Sequence, residues 1–206
     1  MSTIHHKAAG GVATPATDPQ VERPSNFAYR ALAALRIAFG LTFLWAFFDK
    51  LLALGFSTGR ADDGTVDRFG DAAWVNGGSP TEGFLKFGAD GPFKGFYNSI
   101  AGSAWADTLF MLGLLAIGLA LVLGIGMRIA AVSGTLMMAL MWAAEWPPAQ
   151  HTSAGEPTMS TNPLIDYHVV YALVLIALAA TASGVTWGLA HWWNGLPVVK
   201  ANPWLR

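Results

Sequence analysis

Between Asp107 and Glu145 the chain carries a single charge, Arg128. The stretch reads DTLFMLGLLAIGLALVLGIGMRIAAVSGTLMMALMWAAEWPP, two apolar runs that meet at Gly126-Met127-Arg128. Each run is about 18 residues, just long enough to cross a ~30 Å hydrocarbon core as a helix. An open strand would leave backbone groups unsatisfied in lipid, so helices are expected. The feature predicts a transmembrane helical hairpin with an arginine at its tight turn and an acid at each open end.

The rest of the composition agrees. Of 206 residues, 53% are hydrophobic and only 12% are charged, far from the balance of a soluble domain. The formal net charge of −1 favours neither nucleic acid nor an anionic surface as partner. With no cysteine, disulfides, thiolate nucleophiles and iron–sulfur clusters are excluded.

Residues 1–26 are polar, contain Pro15, Pro19 and Pro24, and lack the apolar run of a signal peptide. They read as a disordered tail. His5-His6 offers two metal donors there without a fixed geometry. Four spans follow, at about 28–54, 107–125, 127–145 and 164–183, within a membrane domain over 27–193; 194–206 reads as a second tail. Arg36 lies about two turns into the first span, from where it can snorkel to the interface. Ala34, Ala38, Thr42 and Ala46 form a small-residue stripe suited to close helix packing. Ala116, Ala120 and Gly124 form another, as do Ala131, Thr135, Ala139 and Ala143.

Residues 55–105 form a long polar connection, and such connections usually carry internal structure. Ser79-Pro80-Thr81-Glu82 has the capping-box pattern and predicts a short helix to about Phe87. Phe93, Phe96, Tyr97 and Ile100 recur at helical spacing and predict an amphipathic helix on the membrane or the bundle. The expected fold is therefore all-α: a four-transmembrane-helix bundle with a partly helical extracytoplasmic cap between the first two spans.

Lysine and arginine set the orientation. Arg128 marks the hairpin turn, whereas 145–163 holds neither residue type. Both termini are expected on the cytoplasmic side of the plasma membrane. Asp49, Lys50, Asp107, Glu145, Asp166 and His168 then fall at the outer end, with Trp45, Trp105, Trp142 and Trp146 at a similar level. Charges at span ends are ordinary, acids at helix starts complement the dipole, and tryptophans form interfacial belts. Glu145 fits that account least, because a carboxylate at a helix C-terminus faces the unfavourable end of the dipole. His168 is the one histidine in an expected span and is the natural proton-transfer group.

A single span histidine gives no paired ligands for haem, and no zinc-ligand spacing is visible. The glycines of the hairpin lie in apolar helices, not in a nucleotide-binding strand–turn–helix. A lipid-soluble quinone remains compatible, since it needs an apolar aromatic slot and one or two hydrogen-bonding groups. Glu145, Asp166, His168 and Asp107 are the candidate proton-handling residues. Lys50, Asp49, Trp105, Trp142 and Trp146 are the candidate binding residues.

The run RIAFGLTFLWAFFDKLLALGF (36–56) resembles the first span of the DoxX family. NGGSPTEGFL, GPFKGFY, LFMLGLLAIGLALVLGIGMRIAAVSG, MWAAEWPPAQH and NPLIDYHVVYALVLI resemble its DoxD-like branch, and the likeness extends from about Tyr29 to the carboxyl terminus. The matching positions are Arg36, Gly40 and Lys50, the Glu145-Trp146-Pro147-Pro148 segment, and Asn162 to His168. The resemblance implies the membrane subunit of a thiosulfate:quinone oxidoreductase, which forms tetrathionate and passes electrons to quinone. It also implies a second, small subunit or a sulfur-transfer protein as partner. Thiosulfate is a dianion, so the outer acids require compensation by Lys50, Arg60, Arg68, Lys86 or Lys94, or by a partner. The rival expectation is a non-catalytic scaffold that docks redox or sulfur-transfer proteins. A transporter is disfavoured, because no span is visibly broken at its middle.

Overall fold

The computed structural model describes residues 25–61, 63–151, 157–158 and 160–206. The readings of residues 1–24, including His5-His6, lie outside them. Among the described residues the chain is mostly helical, with two isolated β-bridges and no strand. Four helices dominate: α1 (Asn26–Leu52), α3 (Ala104–Leu123), α4 (Met127–Glu145) and α5 (Tyr167–Ala180). Between α1 and α3 lies an irregular insert carrying short helical turns and α2 (Lys94–Ile100). After α5 come two short helices, α6 (Ala190–Gly195) and α7 (Pro197–Ala201).

Local chemistry sets the helix ends. The Ser25 hydroxyl accepts from the Ala28 amide and starts α1, and Ala53 closes it in a left-handed conformation. Gly124 ends α3 at φ 69°, where glycine carries no Cβ penalty. Asp166 caps α5 by accepting from the amides of His168 and Val169.

α1 packs chiefly on α3, and α4 on α5, while α3 and α4 touch more sparsely. Phe39, Phe43 and Phe47 of α1 meet Met111, Leu114 and Ile117 of α3 in the common core. Glycines bring the backbones together. A Cβ on Gly40 would lie 2.8 Å from a Val122 methyl, and one on Gly118 would lie 2.8 Å from the Leu44 side chain. Gly134 gives α4 the same closeness to Leu175 of α5. The small-residue stripe expected on the first span is not the packing face: Ala34, Ala38 and Thr42 are exposed. The phenylalanines turn inward instead, because they bury more apolar area per residue.

Three helices, α1, α3 and α4, are long and apolar enough to cross a membrane. Their outward faces are apolar too, with Leu41, Leu112, Val132 and Leu136 largely exposed. In water such surface would be unfavourable, whereas against lipid it carries no penalty. α5 has 14 residues, ~21 Å at 1.5 Å per residue, shorter than a full hydrocarbon core. Asn162 accepts from the Leu164 and Ile165 amides ahead of it, Asp166 accepts from the His168 amide in its first turn, and Ala182 at φ 49° breaks the chain direction beyond it.

Arg36 does not snorkel. It is fully buried and donates to the carbonyls of Leu121 and Val122, at the end of α3, and to those of Thr186 and Trp187, after α5. Gly124 and Gly188 lie against the guanidinium, and Gly184 packs on Gly124. The last residues fold back on the hairpin turn: the Arg128 amide donates to the Arg206 carbonyl, and the Trp193 indole to the Leu205 carbonyl. Replacing Arg36 by Met, similar in length, strips the donor from four carbonyls. The variant is expected to lose roughly 3 kcal/mol or more of stability, measured by denaturant unfolding in detergent micelles.

Candidate functional site

The polar residues singled out from the sequence gather at one end of the bundle: the C-terminal ends of α1 and α4 and the N-terminal ends of α3 and α5. They form three separate groups, not one constellation. Asp49, almost fully buried, accepts from the Phe56 and Ser57 amides and from the Ser57 hydroxyl at 2.6 Å. Lys50 donates to the same hydroxyl at 2.9 Å. This pair pins the start of the insert to the end of α1.

Asp107 pins another part of the insert. Its Oδ1 accepts from the Ser79 hydroxyl, the Thr81 amide and the Thr81 hydroxyl at 2.9, 3.0 and 2.7 Å. Ser79 in turn accepts from the Glu82 amide, as the capping pattern predicts. The helical turn that follows widens to π geometry over Phe84–Gly88. Beyond it, the Asp90 amide donates to the Ala144 carbonyl at 2.7 Å. Buried Tyr97 donates to the Leu140 carbonyl at 2.8 Å, and burial pushes its phenol pKa up, so it stays protonated.

Glu145, Asp166 and His168 do come together, with one ligand-type atom from each within 4.8 Å of the others. Asp166 accepts from or shares a proton with His168 Nδ1 at 2.7 Å. The His168 ring is buried, and its Nε2 has no partner among the described residues. This is an aspartate–histidine pair with one ring nitrogen committed to the carboxylate and the other without a partner among the described residues. Glu145 is the last residue of α4, where the helix dipole disfavours it. The Tyr167 hydroxyl offsets this by donating to Glu145 Oε1 at 3.0 Å. The Tyr167 ring also lies against His168, with centroids 3.9 Å apart.

A cavity of about 480 Å³ lies between α1, α3, α4, the start of α5 and the insert. Its wall is overwhelmingly apolar, and its polar groups include Lys50, Thr81, Tyr97, Tyr167 and Tyr171. Of the expected binding residues, Lys50 and Trp105 line it, whereas Asp49, Trp142 and Trp146 do not. Trp142 and Trp146 pack on each other, Trp142 donates to the Leu164 carbonyl, and Trp146 stacks edge-on with Phe93 of the insert. Neither His168 nor the carboxylates reach the cavity wall; Tyr167 links the cavity to the acid–histidine group.

Sequence reasoning missed Tyr167, Thr81 and Tyr97. Tyr167 stands between Asp166 and His168 in the chain, a signal that could have raised it. Thr81 and Tyr97 find their partners only through the fold of the insert.

Asp107→Ala removes the acceptor of three hydrogen bonds. The expected outcome is faster proteolytic cleavage within the insert and a loss of about 2–3 kcal/mol in stability, with the helical circular-dichroism signal retained. Comparison with family models, with curated proteins and with solved structures yields no match for this chain.

Proposed function

We propose that this chain is a multi-pass membrane subunit of a quinone-linked oxidoreductase that converts thiosulfate to tetrathionate. In this reading α5, with the turns flanking it, completes a four-span bundle in the plasma membrane. Both termini face the cytoplasm, and the insert caps the outer end. The observation that carries the reading is the apolar cavity whose wall includes Tyr167, hydrogen-bonded to Glu145 beside the Asp166–His168 pair. The resemblance to the DoxD-like branch supplies the substrates.

The residues present fit a quinone. The cavity is of drug-ligand size, and its wall combines aromatic and methionine side chains with a few hydroxyls and one lysine. The overall reaction balances as two thiosulfates and one quinone, with two protons, giving tetrathionate and quinol. The quinone supplies the electron acceptance. The chain's residues supply position and protons. Lys50 and Thr81 stand at the polar end of the slot. Tyr167 lies between the slot and Glu145 and donates its hydroxyl proton to that carboxylate, so it holds the acid behind the wall of the slot, where a proton taken up by Glu145 stands one side chain away from the quinone. Asp166 holds His168 through Nδ1, which keeps Nε2 available to reload the pair. Cations of the cap, or a small partner subunit, offset the acids that face the thiosulfate dianion.

A second reading, a scaffold that docks redox or sulfur-transfer proteins without chemistry of its own, is favoured by the aromatic surface of the insert. Phe56, Phe69, Phe87 and Phe96 are each more than half exposed there. A stoichiometric soluble partner on affinity purification, with no quinone binding, would support it.

Glu145→Gln, His168→Asn and Tyr167→Phe are expected to fold and to lower thiosulfate-dependent quinone reduction by about 100-fold or more. Unchanged turnover in all three variants would make the acid–histidine group purely structural. No thiosulfate-dependent reduction by the wild-type protein, alone or with its partner subunit, would rule out the redox reading.

A further inference from the structure

The wall of the cavity is also part of the outer surface of the bundle. Trp105 and Leu109 on α3, and Leu136 and Leu140 on α4, line the cavity. The same four side chains are 58%, 66%, 59% and 50% exposed. The cavity therefore opens sideways between α3 and α4, the pair that packs more sparsely than α1–α3 or α4–α5. Its lining runs from Trp105 to Ile117 along α3 and from Ser133 to Ala144 along α4, ~17 Å of each helix at 1.5 Å per residue. That shape suits a chain-like apolar molecule lying along the helices, entering from the surrounding apolar phase and not from water.

The polar groups define the other end of such a molecule. Most hydroxyl protons in the wall are already donated to the protein. Thr42 gives its proton to the Ala38 carbonyl, Ser133 to the Ile129 carbonyl, and Thr81 to Asp107. Tyr97 and Tyr167 donate to the Leu140 carbonyl and to Glu145. Lys50 differs. Its ammonium has three donors, of which one is directed to Ser57. Its neighbour Asp49 is occupied by Phe56 and Ser57. A ligand head placed here meets a cation with hydrogens to give, so it must present an acceptor oxygen.

We propose that the cavity is a lateral-entry site for a single-tailed, membrane-dissolved amphiphile. Its acceptor-oxygen head is held at Lys50, and its tail lies between α3 and α4. The proposal rests on reading these helices as membrane spans, not on the redox chemistry. A quinone carbonyl and a fatty-acid carboxylate share the required head chemistry.

Trp105 at the mouth reports on occupancy. The full chain in detergent micelles is titrated with decylubiquinone and, separately, with dibrominated stearic acid, both of which quench tryptophan. The signal attributed to Trp105 is the difference between wild type and Trp105→Phe. Saturable quenching of that signal by at least one probe is expected. Lys50→Met and Gly113→Leu, the latter filling the slot beside Met137, are each expected to raise the half-saturating concentration about tenfold or more. Circular dichroism and melting check the fold, and Met137→Phe replaces Gly113→Leu if that variant does not fold. Quenching by the quinone alone supports the proposal and identifies the occupant as a quinone. Quenching by the brominated acid alone supports it with a fatty acid as occupant and removes the quinone-linked reading. No saturable quenching of Trp105 by either probe, or an unchanged half-saturation in either variant, overturns it.

Discussion

The bundle depends on a buried guanidinium. Arg36 reaches from α1 to carbonyls at the end of α3 and to the chain that follows α5, joining elements that are far apart in sequence. Among the described residues no carboxylate pairs with it. The partners are backbone carbonyls instead, and those at the end of α3 carry the negative end of the helix dipole. This solves two problems together. Carbonyls at a helix end have no partner within the helix, and a cation taken out of water needs several acceptors around it. The glycines at 124, 184 and 188 follow from the same arrangement, since side chains there would collide with the backbone or with the guanidinium.

The opposite end is built on the same economy with the signs reversed. Carboxylates of Asp49 and Asp107 accept from amides and hydroxyls of the insert and fix where it leaves and rejoins the helices. Two of the acids that looked like chemistry are thus engaged in holding a loop. Glu145, Asp166 and His168 differ because their set of bonds is incomplete: among the described residues His168 Nε2 is buried without a partner. What separates the two sets here is the partner: Asp49 and Asp107 bind the insert, whereas Glu145 and Asp166 bind the side chains of Tyr167 and His168.

Much of the fold was legible in the sequence because apolar length is a strong signal. The hairpin turn falls at 124–126, next to the Gly126-Met127-Arg128 junction of the apolar runs, with Met127 and Arg128 already in α4, and Ser79 caps the turn that its pattern predicts. The failures share a cause. A lone arginine in an apolar run carries no mark of its partners when those partners are backbone carbonyls, so by sequence Arg36 reads as an interfacial residue. The alanine stripe of α1 was assigned to packing because spacing alone does not say which face turns inward; the phenylalanines and Gly40 decided that. At the site, the residues that meet were all near one another in the chain or at facing helix ends. The cavity was invisible, since it is a shape produced by four helices and an insert together. Trp142 and Trp146 share the level of the other polar groups yet face the insert and each other, a distinction that depth along a helix cannot make.

One wall of the cavity has a further consequence. Met137, Met138 and Met141 stand together on α4, all on the lining. Thioether side chains are unbranched and polarisable, so this wall can reshape around occupants of different outline where leucines would hold a fixed contour. The same atoms are its weakness. Oxidation to the sulfoxide would set a strong dipole into an otherwise apolar slot and stiffen its fit. A protein working beside strong oxidants would thus carry, in the softness of one helix face, a record of its own chemical exposure.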